Sequence, residues 1–188
     1  MSRYFHPWHD ISYGNAPGEL QVFIEIPRES RNKYELDKET GLIRFDRLLY
    51  SSVHYPGDYG FIPRTLADDD DPLDVLVITT EATFPGCLMH VRPIGVFEMR
   101  DDKGMDEKVL CVPCADPLRA NYRSIKDVRP HYLREVEHFF RIYKDLEGKK
   151  TEILGLQDVE RAHEVIMECI ERYTKEFGER IENRDGRP

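Results

Sequence analysis

The sequence contains no apolar segment long enough to cross a membrane. One of its longest charge-free stretches runs only from Ala82 to Val91 and contains Pro85 and Gly86. A membrane-spanning helix needs roughly 20 apolar residues. The N-terminal segment also lacks the apolar core of a secretory signal peptide. These two absences predict a cytoplasmic protein that makes no contact with a membrane.

Cysteine is scarce as well, since four cysteines in 188 residues are too few for a disulfide framework. Cys111 and Cys114 have the spacing of a redox or zinc motif. Zinc binding would need a second closely spaced pair, and a thioredoxin-type pair would stand at the start of a helix. The sequence meets neither condition, so we predict that both residues are ordinary thiols.

Positive charge is in deficit. The chain has 27 lysines and arginines against 36 aspartates and glutamates, which gives a formal net charge of −9. Such a chain repels the backbone of a nucleic acid unless a local basic patch overcomes the field. A small anion bound together with a metal ion is therefore a better match than a polyanion.

The most concentrated feature is acidic: residues 68–71 and Asp74 put five carboxylates within seven positions, directly before the apolar run 75–78. Two carboxylates about 4 Å apart repel by about 4 kcal/mol at an effective dielectric constant near 20, so their convergence requires cations. Pro72 restricts the backbone of this segment. Oxygen ligands of this kind suit Mg²⁺, Mn²⁺ or Ca²⁺. The alternative interpretation is a solvated acidic turn before a strand.

Periodicity predicts a mainly β chain of the α+β class. Alternating or apolar runs predict strands at residues 20–26, 33–37, 42–47, 75–79, 88–92, 95–99, 106–112 and 149–154. Amphipathic stripes predict two helices, at 131–147 and from Asp158 as N-cap to Gly178. A chain of this length fits one domain, 1–188, with an N-terminal arm (1–18) and a frayed tail (179–188). Many short strands followed by two helices favour an antiparallel barrel or sandwich with the helices packed against it.

A barrel would gather charged side chains from separate strands into one cavity. Residues 69–74 read Asp-Asp-Asp-Pro-Leu-Asp. This segment resembles the signature Asp-x-Asp-Pro-x-Asp of the family I soluble inorganic pyrophosphatases. The resemblance extends from about residue 20 to 146. Its other pieces follow in the same order: Ile24-Glu25-Ile26-Pro27, Lys33-Tyr34-Glu35, Asp46-Arg47, Tyr55-Pro56 with Tyr59-Gly60, Asp101 with Asp106 and Lys108, Ile125-Lys126-Asp127, and 138–146.

The resemblance implies an OB-like, five-stranded antiparallel barrel with two flanking helices, and Mg²⁺-dependent hydrolysis of pyrophosphate to two phosphates. It implies several Mg²⁺ ions per site, with Mn²⁺ as a substitute. Ca²⁺ should inhibit, because its larger and more flexible coordination shell positions oxygens poorly. The chain is short, like the prokaryotic enzymes of the family, which implies a homohexamer of two stacked trimers.

The resemblance also implies a role for each site residue. Asp71 is implied as the general base. The other implied roles are metal ligands, Asp69, Asp74, Asp106 and Asp101; phosphate-binding residues, Lys33, Arg47, Tyr59, Tyr143 and Lys144; and cavity-lining residues, Glu25, Glu35, Tyr55 and Lys108.

Two other functions stay open from the residues alone. An OB-like barrel is also the fold of nucleic-acid-binding modules, although the net charge of −9 and the absence of a basic and aromatic groove argue against that function. A non-catalytic metal-binding protein would bind Mg²⁺ yet release no phosphate.

Asp68 adds a further carboxylate that could serve as a weak ligand, but only the register that begins at Asp69 puts Pro72 and Asp74 in place.

Overall fold

The computed structural model describes residues 5–101 and 104–185, and the side chains of 5–100 and 104–178. The described residues form nine strands, three α-helices and two short 3-10 turns. The strands are β1 (Gly14–Asn15), β2 (Glu19–Ile26), β3 (Asn32–Leu36), β4 (Ile43–Leu48), β5 (Asp58–Phe61), β6 (Asp74–Val77), β7 (Leu88–Asp101), β8 (Gly104–Pro113) and β9 (Glu152–Asp158). The helices are α1 (Pro7–Asp10), α2 (Pro130–Ile142) and α3 (Val159–Asp185).

Five strands close into a ring. The order of hydrogen-bonded neighbours is β2, β5, β6, β8 and β7, and β7 pairs again with β2. This confirms the predicted five-stranded barrel. One pairing departs from the prediction: β6 and β8 run parallel, with Asp74 beside Lys108, whereas the other four pairings of the ring are antiparallel. β3 and β4 form a separate hairpin beside the barrel.

The two strands predicted at 88–92 and 95–99 are one long strand, β7, interrupted by a register shift between Pro93 and Gly95. Proline cannot donate a ladder hydrogen bond, so a bulge at this point was expected. Gly95 is required by close packing, because a Cβ atom there would lie 2.1 Å from Cγ2 of Ile125. The length of β7 lets it pair with β2 at one end and with β9 at the other.

A second bulge, in β2, divides the core. Leu20, Val22 and Ile24 pack in one cluster with the apolar stripe of α3. The register of β2 shifts between Ile24 and Ile26, and Ile26 therefore packs in the other cluster, against Phe139 and Phe140 of α2. Strict alternation from residue 20 would put Ile26 on the same face as these three residues, but the bulge ends that alternation.

The helix ends also differ from those predicted. α2 ends at Ile142, and a 3-10 turn at Asp145–Glu147 follows, closed by Gly148 in the left-handed region (φ 72°). α3 runs through Gly178 to Asp185, since one glycine inside a helix costs only about 1 kcal/mol. The predicted tail, 179–188, is thus helical as far as Asp185, and 186–188 lie outside the described residues. Among the described helices, none is long and apolar enough to span a membrane.

The N-terminal arm is packed into the fold where the structure describes it. Trp8 of α1 is buried, and its indole Nε1 donates to the carbonyl oxygen of Thr65 at 2.8 Å. The Trp8 ring lies against Tyr173 and Phe177 of α3. Residues 1–4 of the predicted arm lie outside the described residues.

Candidate active site

A cavity of about 440 Å³ lies between the barrel and the β3–β4 hairpin. It brings together twelve of the fourteen predicted site residues. These are Glu25, Lys33, Glu35, Arg47, Tyr59, Asp69, Asp71, Asp74, Asp106, Lys108, Tyr143 and Lys144.

Lys108 is the centre of the most buried part of this site. Its side chain is only 2% exposed, and Nζ donates to Asp74 Oδ2 at 2.7 Å, to Asp106 Oδ1 at 2.7 Å and to the Tyr59 hydroxyl at 2.9 Å. Strand pairing explains this convergence, because Asp74 stands beside Lys108 in the parallel register, and Asp106 precedes Lys108 by two residues on the same face. Burial alone would lower the pKa of Lys108, but Asp106 and Asp74 outweigh it and hold that pKa well above its ordinary value.

Glu25 is buried in the wall of the cavity. Its Oε1 accepts a hydrogen bond from the Leu36 amide at 2.6 Å. Burial raises the pKa of Glu25 to about 8 despite that hydrogen bond, so near neutral pH the carboxyl group is mostly protonated in the metal-free protein. Glu25 therefore adds little negative charge to the cavity under those conditions.

The aspartate segment is a turn in which some carboxylates face the cavity and others face solvent. Asp70 has a positive φ of 65°, a conformation that Asp tolerates better than most residues, and it is exposed, whereas Asp69 and Asp71 line the cavity. The Asp71 amide donates to Asp69 Oδ1 at 3.1 Å. Burial and the neighbouring charge of Asp71 raise the pKa of Asp69. Asp68 is ion-paired with Arg172 of α3 and does not line the cavity.

The donor types around the cavity fit a hard divalent cation, since every acidic side chain there offers carboxylate oxygens. These carboxylates are spread around Lys108: in the part of the chain that the structure describes, no three of them bring their oxygens within 4.8 Å of one another. The cavity is lined by six acidic residues, Glu25, Glu35, Asp69, Asp71, Asp74 and Asp106, and by six basic residues, Lys33, Lys38, Arg47, Lys108, Lys144 and Lys149.

The model of a protein family described as inorganic pyrophosphatase matches residues 22–174. The chain belongs to the inorganic pyrophosphatase family. It is 55% identical to an inorganic pyrophosphatase of Methanosarcina mazei over 155 residues, which cover 82% of this chain and 92% of that protein. It is 54% identical to an inorganic pyrophosphatase of Synechocystis over 156 residues, covering 83% of this chain and 92% of that one. The crystal structure of inorganic pyrophosphatase from Thermus thermophilus superposes with a TM-score of 0.87 at 41% identity, covering 90% of this chain and 99% of that one.

Two of the residues that the pyrophosphatase resemblance implied are not among the described residues that line the cavity. Tyr55 is buried behind the cavity wall, with its ring 5.4 Å from that of Tyr59 and 4.8 Å from that of Phe139, and it is not a lining residue. Its assignment as a cavity-lining residue stays a prediction. Asp101 ends β7, and its backbone pairs with Gly104. The side chain of Asp101 lies outside the described part of the chain.

Lys38 is a lining residue of this pyrophosphatase-family cavity that sequence reasoning missed. It forms an ion pair with Asp71, and its Nζ also donates to the Asp70 carbonyl oxygen at 3.1 Å. The same ammonium group lies 5.6 Å from the centre of the Trp8 ring, within reach of a cation–π interaction. Lys38 stands in the hairpin loop between β3 and β4, where its residue type indicates only a polar turn. No local pattern could have shown that this loop folds over the aspartate segment.

Glu147 was also missed, and it acts on Arg47. The Arg47 guanidinium donates from Nε and from one terminal nitrogen to the two Glu147 oxygens, both at 2.9 Å. Such a two-bond contact fixes the plane of the guanidinium as well as its position. Glu147 lies 100 residues from Arg47, in the 3-10 turn after α2, so its role depends on the packing of α2 against the barrel.

Proposed function

We propose that this protein hydrolyses pyrophosphate to two phosphates in a Mg²⁺-dependent reaction. The observation that carries the proposal is the convergence of acidic, basic and tyrosine side chains on one cavity of about 440 Å³ in a chain of the inorganic pyrophosphatase family. A cavity lined equally by acids and bases does not favour a multiply charged anion by itself. Divalent cations that enter with the anion would supply the missing positive charge.

Asp69, Asp74 and Asp106 are the proposed principal Mg²⁺ ligands, and Asp101 is the proposed ligand of a further ion. Bound Mg²⁺ would place positive charge beside the phosphate oxygens and would lower the pKa of a bound water molecule. Asp74 and Asp106 share Lys108 as their cationic partner in the metal-free state, and Lys108 keeps these two like charges close together. That preorganisation supports their assignment as ligands.

Asp71 is the proposed general base. It lies on a turn held by hydrogen bonds from the Ala67 amide to the Asp71 carbonyl oxygen, at 2.7 Å, and from the Asp71 amide to Asp69. A carboxylate fixed in this way at the cavity edge would accept the proton of the attacking water. Its ion pair with Lys38 holds the side chain at the edge of the cavity.

Five residues are proposed to hold the phosphates: Lys33, Arg47, Tyr59, Tyr143 and Lys144. Lys33 and Arg47 are opposite each other in the β3–β4 hairpin, and Tyr143 and Lys144 follow the last turn of α2. These groups would fix the phosphates for in-line attack and stabilise the charge of the leaving phosphate.

The test is phosphate release from pyrophosphate at millimolar Mg²⁺, with a chelator arm and a Ca²⁺ arm. We expect release with Mg²⁺, less with Mn²⁺, and little with Ca²⁺ or chelator. Asp71→Asn should lower turnover by roughly 10²-fold or more. The matched control is Asp70→Asn, the exposed neighbour that lies outside the cavity, and it should keep full turnover. Failure of the unmodified protein to release phosphate while it binds Mg²⁺ would favour the non-catalytic metal-binding alternative, and tight binding of a single-stranded oligonucleotide would favour the nucleic-acid alternative.

A homohexamer remains a prediction based on the family resemblance, and a cytoplasmic location remains a prediction based on the sequence. Large apolar side chains such as Leu42, Phe84 and Leu118 are exposed on the single chain, and closed assembly is one way to cover such groups. Light scattering after size exclusion with Mg²⁺ should report about six chains, with the 22.1 kDa chain as the unit. A stable monomer at micromolar concentration would contradict the hexamer.

A further inference from the structure

Three metal-binding side chains of different chemistry meet outside the active-site cavity. The ligand atoms of Glu19, His90 and Cys114 all lie within 4.8 Å of one another, and His90 Nε2 lies 3.2 Å from Glu19 Oε2. None of the three lines the cavity. Among the described residues, no other group of three histidine, cysteine or carboxylate ligand atoms is gathered this closely.

The barrel itself produces this convergence. Glu19 begins β2, and the antiparallel pairing of Leu20 with Val91 and of Gln21 with His90 sets it beside β7. Cys114 follows the last residue of β8, and its amide donates to the His90 carbonyl oxygen at 3.0 Å. Two of the ligands therefore come from paired strands, and the third directly follows β8 and is tied to β7 by a backbone hydrogen bond, so the sheet holds the backbone positions of all three.

Glu19 is oriented by a neighbour. One terminal nitrogen of Arg92 donates to Glu19 Oε1 at 2.9 Å, and the other donates to the Ala120 carbonyl oxygen at 2.8 Å. This arrangement fixes Oε1 on the guanidinium and directs Oε2 towards His90. Outer groups that orient a ligand in this manner are a regular part of metal sites.

We propose that Glu19, His90 and Cys114 form a binding site for one transition-metal ion of the Zn²⁺ class, with water as the remaining ligand. Sulfur, nitrogen and oxygen donors together match Zn²⁺ or Co²⁺ and exclude Mg²⁺, which prefers oxygen alone. All three side chains are at least partly accessible, which provides an entry path. The site is chemically distinct from the all-carboxylate set of the active-site cavity and does not depend on the proposed hydrolysis.

The two cysteines of the pair Cys111 and Cys114, both predicted from the sequence to be ordinary thiols, therefore differ in their surroundings. Cys111 is fully buried in the core that packs against α3, so it is an ordinary apolar thiol, as predicted. Cys114 points to a different partner set, and the second pair that zinc would need is supplied by His90 and Glu19 from other strands. Burial raises the pKa of the Cys114 thiol, with Arg92 opposing that shift, and binding should therefore release a proton from the sulfur.

The test is a titration of the full-length protein with Co²⁺ in the presence of a large excess of Mg²⁺. Bound thiolate gives Co²⁺ a near-ultraviolet charge-transfer absorption band, and no sulfur-containing residue lines the active-site cavity, so Co²⁺ bound in that cavity would not produce this band. We expect the band to saturate at one Co²⁺ per chain and to disappear when one equivalent of Zn²⁺ is added.

Two variants and a matched control complete the experiment. Cys114→Ser should abolish the band, and His90→Ala should weaken Co²⁺ binding by at least roughly 10-fold. Cys87→Ser changes another partly buried free thiol that lies outside the group and should leave the band unchanged. Absence of the band in the unmodified protein, its persistence in Cys114→Ser, or its loss in Cys87→Ser would each overturn the proposal. Unchanged affinity in His90→Ala would also overturn it, because a thiol alone would then account for the binding.

Discussion

Replacing Lys108 by methionine removes the buried positive charge between two partly buried carboxylates while keeping an unbranched apolar stem. The Lys108 ammonium lies 2.7 Å from an oxygen of Asp74 and 2.7 Å from one of Asp106. At an effective dielectric constant near 20, each contact corresponds to about 6 kcal/mol of Coulomb attraction. Much of that attraction offsets the cost of burying the ions, and removal of one partner from a buried ion pair typically lowers stability by about 3–5 kcal/mol. We expect a loss of that size for Lys108→Met without metal.

Urea unfolding, followed by the fluorescence of the single tryptophan, Trp8, measures this loss directly, because Trp8 is buried against α3. Both proteins should be compared at one protein concentration, since assembly would contribute to apparent stability. The measurement is made in chelator and again with excess Mg²⁺. If Asp74 and Asp106 are Mg²⁺ ligands, a bound ion replaces the missing charge, and the difference between the two proteins should shrink.

Arg141→Met is the matched control. Arg141 forms an ion pair with Glu137 on the surface of α2, and the two side chains are 54% and 35% exposed. The loss there should stay below about 1 kcal/mol. A loss that small for Lys108→Met in chelator would refute the reasoning, because it would mean that the two carboxylates separate or take up a proton at little cost. A large loss that Mg²⁺ does not reduce would count against Asp74 and Asp106 as metal ligands.

The remaining predictions concern the metal, the barrel and pH. Asp74→Asn should weaken Mg²⁺ binding measured by calorimetry, whereas Asp71→Asn should largely retain it; equal losses would contradict their separate roles. Gly60→Ala should prevent closure of the barrel or lower stability by several kcal/mol, because its Cβ would lie 2.0 Å from the Phe23 carbonyl oxygen. Gly178→Ala, with nothing within 4 Å, should raise the melting temperature, as Ala favours a helix by about 1 kcal/mol. In chelator, stability should fall as pH rises from 4.5 to about 8, because folding raises the pKa of Glu25 across that interval and the folded state binds the extra proton; Glu25→Gln should flatten that slope in urea titrations, and an unchanged slope would assign it to other groups.

Much of the barrel could be predicted because strand alternation is local. The period of two in residues 20–24 is visible in the sequence, and the structure packs Leu20, Val22 and Ile24 in one core cluster as expected. In the continuous apolar run 75–77, Val75 and Val77 join that cluster and Leu76 joins the other. The bulges could not be placed with the same certainty. Pro93 predicts one of them, because proline lacks the N–H group that a strand residue donates. By contrast, nothing in the residue type of Ile24 or Ile26 indicates the register shift that moves Ile26 to the other core cluster.

The candidate site was predictable through its motif and not through its pairings. The run of aspartates indicates a metal site from chemistry alone, but the contact of Asp74 with Lys108 depends on the parallel pairing of β6 and β8. Lys38 and Glu147 show the same limit. Each belongs to a turn whose local sequence reads only as polar, and each reaches the site because a distant element packs against it.

The charge of the cavity couples the proposed binding of Mg²⁺ to the proposed binding of pyrophosphate. Six acidic and six basic residues line it, and Glu25 is mostly protonated near neutral pH. Divalent cations alone would therefore leave an excess of positive charge, and pyrophosphate alone would bring more negative charge than the remaining basic excess balances. Either excess is costly in a partly desolvated cavity. Each ligand therefore offsets the charge of the other, and by linkage the factor by which Mg²⁺ tightens pyrophosphate binding equals the factor by which pyrophosphate tightens Mg²⁺ binding. Lys108 donates to both Asp74 and Asp106, so part of the positive charge beside these two proposed ligands belongs to the protein itself and does not depend on the arrival of Mg²⁺.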